Sequence, residues 1–391
     1  MVSATQSQSA DAREAAALMQ AFAVRTGLDG DAAPRRYLWT DAFAVCNCIA
    51  LSADERRPPF GTLATDLVAQ VHAVLGRHRD DDPRRGWISG LEEAEGARHP
   101  TAGGLRIGKP LPERTRDAPL DAELEWDRDG QYFHYLTRWM HALDQYAHAF
   151  AQPDAERWAV ELAQAAYRGF VQRSAGGAPQ RMVWKMSIDL SRALVPSMGQ
   201  HDPLDGLITA LQLRARGDAD RAAPALDAQV RDYAALALVH DWRSDDPLGV
   251  GGLLCDACRL AQLPGDDVLP GDGARGAVLA RILDAALAGV IDYARRQPLR
   301  QPPAHRLAFR ELGLAIGLRG VPRMRAWSAG VDARSAAALE RLSAHESLAD
   351  AILDTWREPA HRQLHAWRAH EDINAVMLAT ALLPSGYLEL Q

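Results

Sequence analysis

Apolar residues recur at helical intervals along almost the whole chain. Leu63, Leu67, Val71, Val74 and Leu75 mark one stripe, and Leu279, Ile282, Leu283, Ala286, Leu287 and Val290 mark another. Stripes at this spacing predict amphipathic helices over 11–26, 62–78, 154–173, 222–239, 275–295 and 334–356. Local punctuation agrees: Asp154 suits an N-cap, Pro224 a first turn and Gly27 a C-terminal stop. A second set of helices, over 36–52, 130–147, 202–216, 247–262, 303–319 and 370–384, is apolar on more of its circumference. Leu204, Leu207, Ile208 and Leu211 show this, as do Leu248, Val250, Leu253 and Leu254. Helices apolar nearly all round are buried. Gly249, Gly251, Gly252, Gly313 and Gly317 would let such helices approach closely. Strand-like alternation is scarce. The pattern therefore predicts an all-α fold of six outer helices alternating with six inner ones.

Polar residues gather where the inner helices start. The openings are Trp39-Thr40-Asp41, the run Asp127 to Tyr132, His201-Asp202-Pro203-Leu204-Asp205, Asp245-Asp246-Pro247, His305-Arg306 and His370-Glu371-Asp372. Connections from inner to outer helices, such as 148–153 and 217–221, are short. Those at 79–129 and 174–201 are long, and loops of that length in a compact domain are usually functional or disordered. Trp87, Ile88, Leu105, Ile107, Leu124 and Trp126 in the first, with Met182, Trp184, Met186, Ile188 and Leu190 in the second, make them too apolar for disorder. The expectation is a lid or wall over the inner-helix starts, with 79–129 as the lid.

Each cluster has a structural and a chemical reading. Asp202-Pro203 and Asp246-Pro247 suit a cap followed by a first-turn proline. Asp202, however, belongs to a dense set: His201, Asp202 and Asp205 follow Lys185, Asp189 and Arg192, beside Trp184 and Met186. The run Glu125 to His134 is either a solvated loop or a sugar platform. In the second case Trp126, Tyr132 and His134 stack on a ring, and Asp127 and Asp129 bind its hydroxyls. His134, Arg138 and His141 share a helix face, which implies a polar lumen or a satisfied buried network. Arg306, Arg310 and Glu311 form either an anion clamp or an internal ion-pair set. Trp39 and Asp41 open the first inner helix, and His370 and Glu371 the last.

The alternation of six outer and six inner helices resembles the (α/α)6 toroid of the six-hairpin glycosidases and the N-acylglucosamine 2-epimerases. The resemblance covers nearly the whole chain as architecture. The His-x-x-Glu-Trp element of the epimerases is absent. The resemblance implies a single toroid domain over 11–391 and an enzyme acting on a sugar or similar polyol at the inner-helix mouth. Glycoside hydrolysis needs two carboxylates, and Asp41, Asp127, Asp129, Asp202, Asp205, Glu311 and Glu371 supply candidates. His201 stands beside them. Trp39, Trp126, Tyr132, His134, Arg138, Trp184, Lys185, Arg306 and Arg310 would bind substrate. A sugar epimerase or isomerase is the alternative, with His240 and His370 as acid and base. A toroid that only binds a ligand or partner is the third reading.

Composition narrows this picture. With 44 basic and 51 acidic side chains the net charge is −7, which gives no reason to expect nucleic acid or an anionic membrane as partner. No apolar run reaches the ~18 residues of a membrane span. The polar start, 1–10, lacks a signal-peptide pattern and reads as a disordered tail, so a cytoplasmic protein is expected. Cys46, Cys48, Cys255 and Cys258 lie in apolar helical runs and read as core residues, with no metal and no cofactor expected. Gly249-Val250-Gly251-Gly252 follows no strand, so it is not a dinucleotide fingerprint. Asp80-Asp81-Asp82 runs into Pro83 and reads as loop.

Overall fold

The computed structural model describes residues 2–53, 60–217, 219–264, 275–327 and 332–391, without the side chains of 2–8 and 219–225. The described chain is mostly helical. Its helices are α1 (Val2–Arg25), α2 (Leu38–Ser52), α3 (Phe60–Leu75), α4 (Glu93–Arg98), α5 (Phe133–Phe150), α6 (Pro153–Phe170), α7 (Asp202–Arg216) and α8 (Ala219–Ala237). They continue as α9 (Pro247–Gln262), α10 (Arg275–Arg296), α11 (Ala308–Arg319), α12 (Val321–Trp327), α13 (Ala333–Ser343), α14 (Glu346–Arg357), α15 (His365–Arg368), α16 (Glu371–Leu382) and α17 (Ser385–Leu388). The short strands are β1 (Gln131–Tyr132), β2 (Val171–Arg173), β3 (Pro179–Met182), β4 (Lys185–Met186) and β5 (Ala193–Val195). Each of the twelve helices expected from periodicity has its counterpart here. The sixth outer one is broken at Ala344-His345 into α13 and α14. Helix α1 already begins at Val2, where composition suggests a tail. Among the described residues no helix is long and apolar enough to cross a membrane.

The chain divides into two compact units. One comprises 1–22, 46–58 and 240–391; the other comprises 23–45 and 59–239. The boundaries fall inside α1 and α2 and between α8 and α9.

In the second unit, α5 packs on α6 and α7, and α7 on α8. Leu136, Trp139, Leu143, Leu162, Leu204, Leu207 and Leu211 are all buried there. The segment 103–111 is laid against the starts of α2 and α5. Leu38 N donates to Ile107 O (3.0 Å), Ile107 N to Gly130 O (2.9 Å) and Asp129 N to Leu111 O (2.8 Å). Gln131 locks it further: its Oε1 accepts from Leu105 N (2.9 Å), and its Nε2 donates to Gly103 O (3.0 Å) and Ile188 O (2.6 Å). Gly104, at φ +81°, passes so close that a Cβ would lie 2.0 Å from Gln131 Oε1. The antiparallel sheet β1–β4–β5, with Tyr132 opposite Lys185 and Lys185 opposite Val195, brings 185–195 onto the start of α5. These strands are too short to show alternation in sequence.

In the first unit, α9 packs against α10 and α11, and α11 against α14 and α16. Gly251, Gly313 and Gly317 allow the α9–α11 approach; a Cβ on Gly251 would lie 2.1 Å from Gly313 O.

Candidate functional site

The contact between α5 and α7 is a polar seam inside an apolar unit. Asp202, Asp205, Thr209, Gln212 and Arg216 recur at three- and four-residue steps on α7, so they form one stripe. It faces His134, Arg138, His141, Asp144 and His148 of α5. The far end of the seam is saturated. The Gln212 amide bridges His141 Nδ1 and Asp144, donating to Asp144 Oδ2 at 2.6 Å. Arg216 Nε donates to the same oxygen at 2.8 Å. His141 thus belongs to a satisfied structural network.

The near end is different. Arg138 Nη2 donates to both oxygens of Asp205, at 3.0 and 3.3 Å, with both side chains buried. Asp202, three residues earlier, is also buried, but its Oδ2 has no hydrogen-bond partner among the described residues. Asp202 does not cap its helix: the N-cap is His201, with no side-chain cap bond. The other oxygen lies 3.8 Å from His134 Nδ1. Burial, then the Asp205 charge, pushes the Asp202 pKa well above the ordinary carboxylate value, against the opposing pull of Arg138. The arrangement sets a buried carboxyl of raised pKa beside one clamped by Arg138. Gly199 makes this fit possible, since a Cβ there would lie 2.3 Å from Asp202 Oδ2.

Aromatic rings surround His134, the neighbour of Asp202. His134 stacks on Tyr132 (5.7 Å, 23°) and meets Trp39 (5.9 Å) and Tyr135 (4.8 Å) edge-on. Trp39 packs on Tyr135 at 5.3 Å. The Tyr37 and Tyr135 hydroxyls are 2.5 Å apart. From Tyr132 the row continues through Trp184 (5.0 Å) to Trp126 (5.2 Å), which is 57% exposed. The His134 side chain keeps 31% of its surface accessible although it is closely enclosed. Burial and Arg138 push the His134 pKa down, so its ring is neutral. Two further buried atoms, Tyr132 Oη and Trp39 Nε1, have no hydrogen-bond partner among the described residues. An unmet buried polar group costs about 1–3 kcal/mol.

The other expected residues of this unit serve differently. Lys185 is fully buried and rivets the 125–128 turn, its Nζ donating to Glu125 O (2.5 Å) and Arg128 O (2.9 Å) and pairing with Glu125 Oε1 (2.9 Å). Asp129 accepts from Arg106 Nη1 (2.6 Å), Arg79 Nη1 (3.4 Å), Gly108 N (3.1 Å) and Gly130 N (3.0 Å). Both are occupied in holding the 79–129 segment. Asp41 reaches back to accept from Tyr37 N (2.9 Å) at the start of α2. Asp127 is exposed and His201 half-buried.

No family model matches the chain, and no curated protein or solved structure is similar to it. The chemistry of the site rests on its own geometry.

The remaining expected residues lie in the first unit. Arg306 makes a buried two-point contact with Glu311 (2.8 and 2.6 Å), and Trp356 Nε1 donates to Glu311 Oε2 (2.8 Å). Arg310 pairs with Asp246 (2.7 Å), which also caps α9 through Leu248 N and Gly249 N. His370, exposed, meets the Phe309 ring edge-on at 5.5 Å, and Glu371 follows it half-buried. The His240 carbonyl accepts from Arg281 Nη2 (3.0 Å). Arg306, Arg310 and Glu311 therefore form an internal ion-pair set. The four thiols are buried, and burial pushes Cys48 up to about 12. Among the described residues no three His, Cys, Asp or Glu side chains gather as a metal site.

Tyr37, Tyr135, Gly199 and Lys109 are the site residues that the sequence reading passes over. Lys109 stands over the Tyr37 ring at 5.5 Å. The only available signal was proximity in sequence to named residues: Tyr37 two before Trp39, Tyr135 one after His134.

Proposed function

We propose that the enclosure around Asp202 is the catalytic site of a carbohydrate-active enzyme, a glycoside hydrolase. The observation that carries this is the buried Asp202 carboxyl, its pKa pushed up by burial and the Asp205 charge, one helical turn from the Arg138-clamped Asp205 and beside the ring-enclosed His134. Two carboxyl groups with opposed protonation states are what glycosidic cleavage requires. Asp202 donates its proton to the glycosidic oxygen as the bond to the anomeric carbon breaks. The Asp205 charge stabilises the positive charge that develops there. Water adds to the anomeric carbon, and its proton restores Asp202. The rings of Trp39, Tyr132, His134 and Tyr135 suit the apolar faces of a pyranose, and the unmet Tyr132 and Trp39 polar atoms suit its hydroxyls.

This reading takes the paired helices as hairpins of one (α/α)6 toroid in a cytoplasmic protein. Its support is that α2, α5 and α7 in one unit, and α9, α11 and α16 in the other, each gather their polar residues at their starts. The test is turnover on a panel of glycosides by the wild-type protein and the Asp202→Asn variant. Loss of an acid in such a role costs about 10²–10⁴-fold in rate. Cleavage of a glycoside by the wild type, and its loss in the variant at unchanged folding, is the expected result. Undiminished cleavage by Asp202→Asn would refute the assignment.

A further inference from the structure

We infer that the tip of the β4–β5 hairpin, Ser187 to Arg192, is a flap that opens on its own while the surrounding unit stays folded, and that Arg84 is a salt-sensitive clasp holding it shut. Neither depends on the ligand or on the carbohydrate reading.

The tip is held in a strained form. Leu190 sits at φ +58°, in the left-handed region that costs a leucine energy and suits glycine or asparagine. Its N donates to Ser187 O (3.0 Å), closing a turn. Its side chain presses on Gly169 of α6, where an added Cβ would lie 3.1 Å from Leu190 Cβ. Asp189 keeps the turn in this shape: its Oδ1 accepts from Ser187 Oγ (2.7 Å), Ser191 N (3.0 Å) and Ser191 Oγ (2.7 Å). Strain of this kind persists only where the surroundings over-determine it, and it gathers in switch regions.

Arg84 supplies the hold from outside. Its Nη1 donates to Asp189 Oδ2 (2.8 Å), and its Nη2 to Asp82 Oδ2 (2.7 Å) and Glu113 Oε1 (2.6 Å). Glu113 Oε2 in turn accepts from Ile188 N in the tip (2.6 Å). One guanidinium thus ties two carboxylates of the 79–129 segment to one of the tip, and without it three like charges would face one another. The clasp is open to solvent, since the Arg84 and Asp189 side chains keep 35% and 36% of their surface. Ion pairs at such exposure are weak singly and are screened by salt.

The root of the hairpin is fastened differently. Lys185, fully buried, pairs with Glu125 (2.9 Å), Arg114 Nη2 donates to Leu194 O (2.8 Å), and Arg192 donates to Arg114 O. A firm root and a strained tip behind an exposed clasp make the tip the part that opens first. From the root the chain runs through Ser197, which accepts from Trp184 Nε1 (2.9 Å), to Gly199 against Asp202. The flap therefore belongs to the stretch that borders the candidate site.

The test is amide hydrogen exchange, read by mass spectrometry on the full chain, for wild type, Arg84→Met and Asp189→Asn. It is run at low and high salt and with urea below the unfolding range. Asp189→Asn keeps Oδ1 for the serines and loses the charge toward Arg84. Exchange in peptides spanning 187–192 should rise about tenfold in Arg84→Met, and about threefold in Asp189→Asn and in the wild type at high salt. The rise should not depend on urea, and α5 and α7 should be unchanged. Unchanged exchange at 187–192 in both variants would overturn the clasp. A rise that depends on urea and is shared by α5 and α7 would overturn the flap, since Arg84 would then only support the global fold. A rise in the variants with no salt effect in the wild type would overturn release by screening.

Discussion

Asp202 and Asp205 stand three residues apart on the same stripe of α7, yet their oxygens meet different partners. Arg138 donates to both oxygens of Asp205 at 3.0 and 3.3 Å, while Asp202 Oδ2 meets no donor among the described residues. Gly199 passes so close to Asp202 that no side chain fits between them, and aromatic rings enclose the neighbouring His134. Burial and the Asp205 charge push the Asp202 pKa well above the ordinary carboxylate value.

This arrangement has a stability consequence. Asp202 has a raised pKa in the folded state, so what it contributes as a neutral acid is complete below the ordinary value of 3.8. It is lost as pH rises through the raised folded value. Asn mimics the neutral acid and does not titrate. Asp202→Asn should therefore be more stable than the wild type at pH 8, with a smaller gain at pH 5. Melting curves at the two pH values check this. A variant less stable at pH 8 than at pH 5, relative to wild type, would speak against a strained carboxyl.

Gly199→Ala offers a test that leaves every polar atom in place. The new methyl would lie 2.3–2.6 Å from the atoms of the Asp202 carboxyl. A side-chain carboxyl can rotate away, so the fold should lose about 1–2 kcal/mol or less. Turnover should fall by an order of magnitude or more, because the acid leaves its position. Steady-state kinetics with circular dichroism as control measure both. Full activity in this variant would mean that the position of Asp202 is not critical.

The twelve main helices were legible because apolar spacing over ten or more residues survives any tertiary context. The break at Ala344-His345 was not, since neither residue is a helix breaker and packing decides it. Asp202, Asp205, His134, Arg138 and Trp39 drew notice in the sequence because they lie in the first two turns of apolar helices or beside their starts. Lys185 and Asp129 looked like ligands for the same reason. What separates them from Asp202 is the partners they find at Glu125 and Arg106, 60 and 23 residues away in sequence. Lys109 was invisible because a lone lysine in a long loop carries no pattern. Only the hydrogen bonds at Gly108 and Arg79 fix where it stands.

His72 gives the second unit a predictable acid sensitivity. It is buried, accepts from Trp139 Nε1 at 3.2 Å, and lies against Trp158 at 4.9 Å. Burial lowers its pKa from 6.5 to about 3. Its neutral form contributes stability that is full above 6.5 and is lost as pH falls toward 3, because the unfolded chain takes up the proton first. His72→Gln keeps an acceptor for Trp139 and removes the titration. The variant should be about 1 kcal/mol less stable at pH 7.5 through lost packing, and its stability should fall less steeply between pH 6.5 and 4. Urea titrations across that range would show it; parallel curves would contradict it.

The central claim is the protonation state of Asp202, and the most direct measurement is a pH titration of its carboxyl carbon by NMR in protein labelled at aspartate. The resonance is assigned by its absence in Asp202→Asn. A midpoint well above 3.8, displaced further upward than that of any exposed aspartate, is the predicted result. A midpoint at or below 3.8 would contradict the account, since Asp202 would then be an ordinary ionised carboxylate with no proton to give at neutral pH.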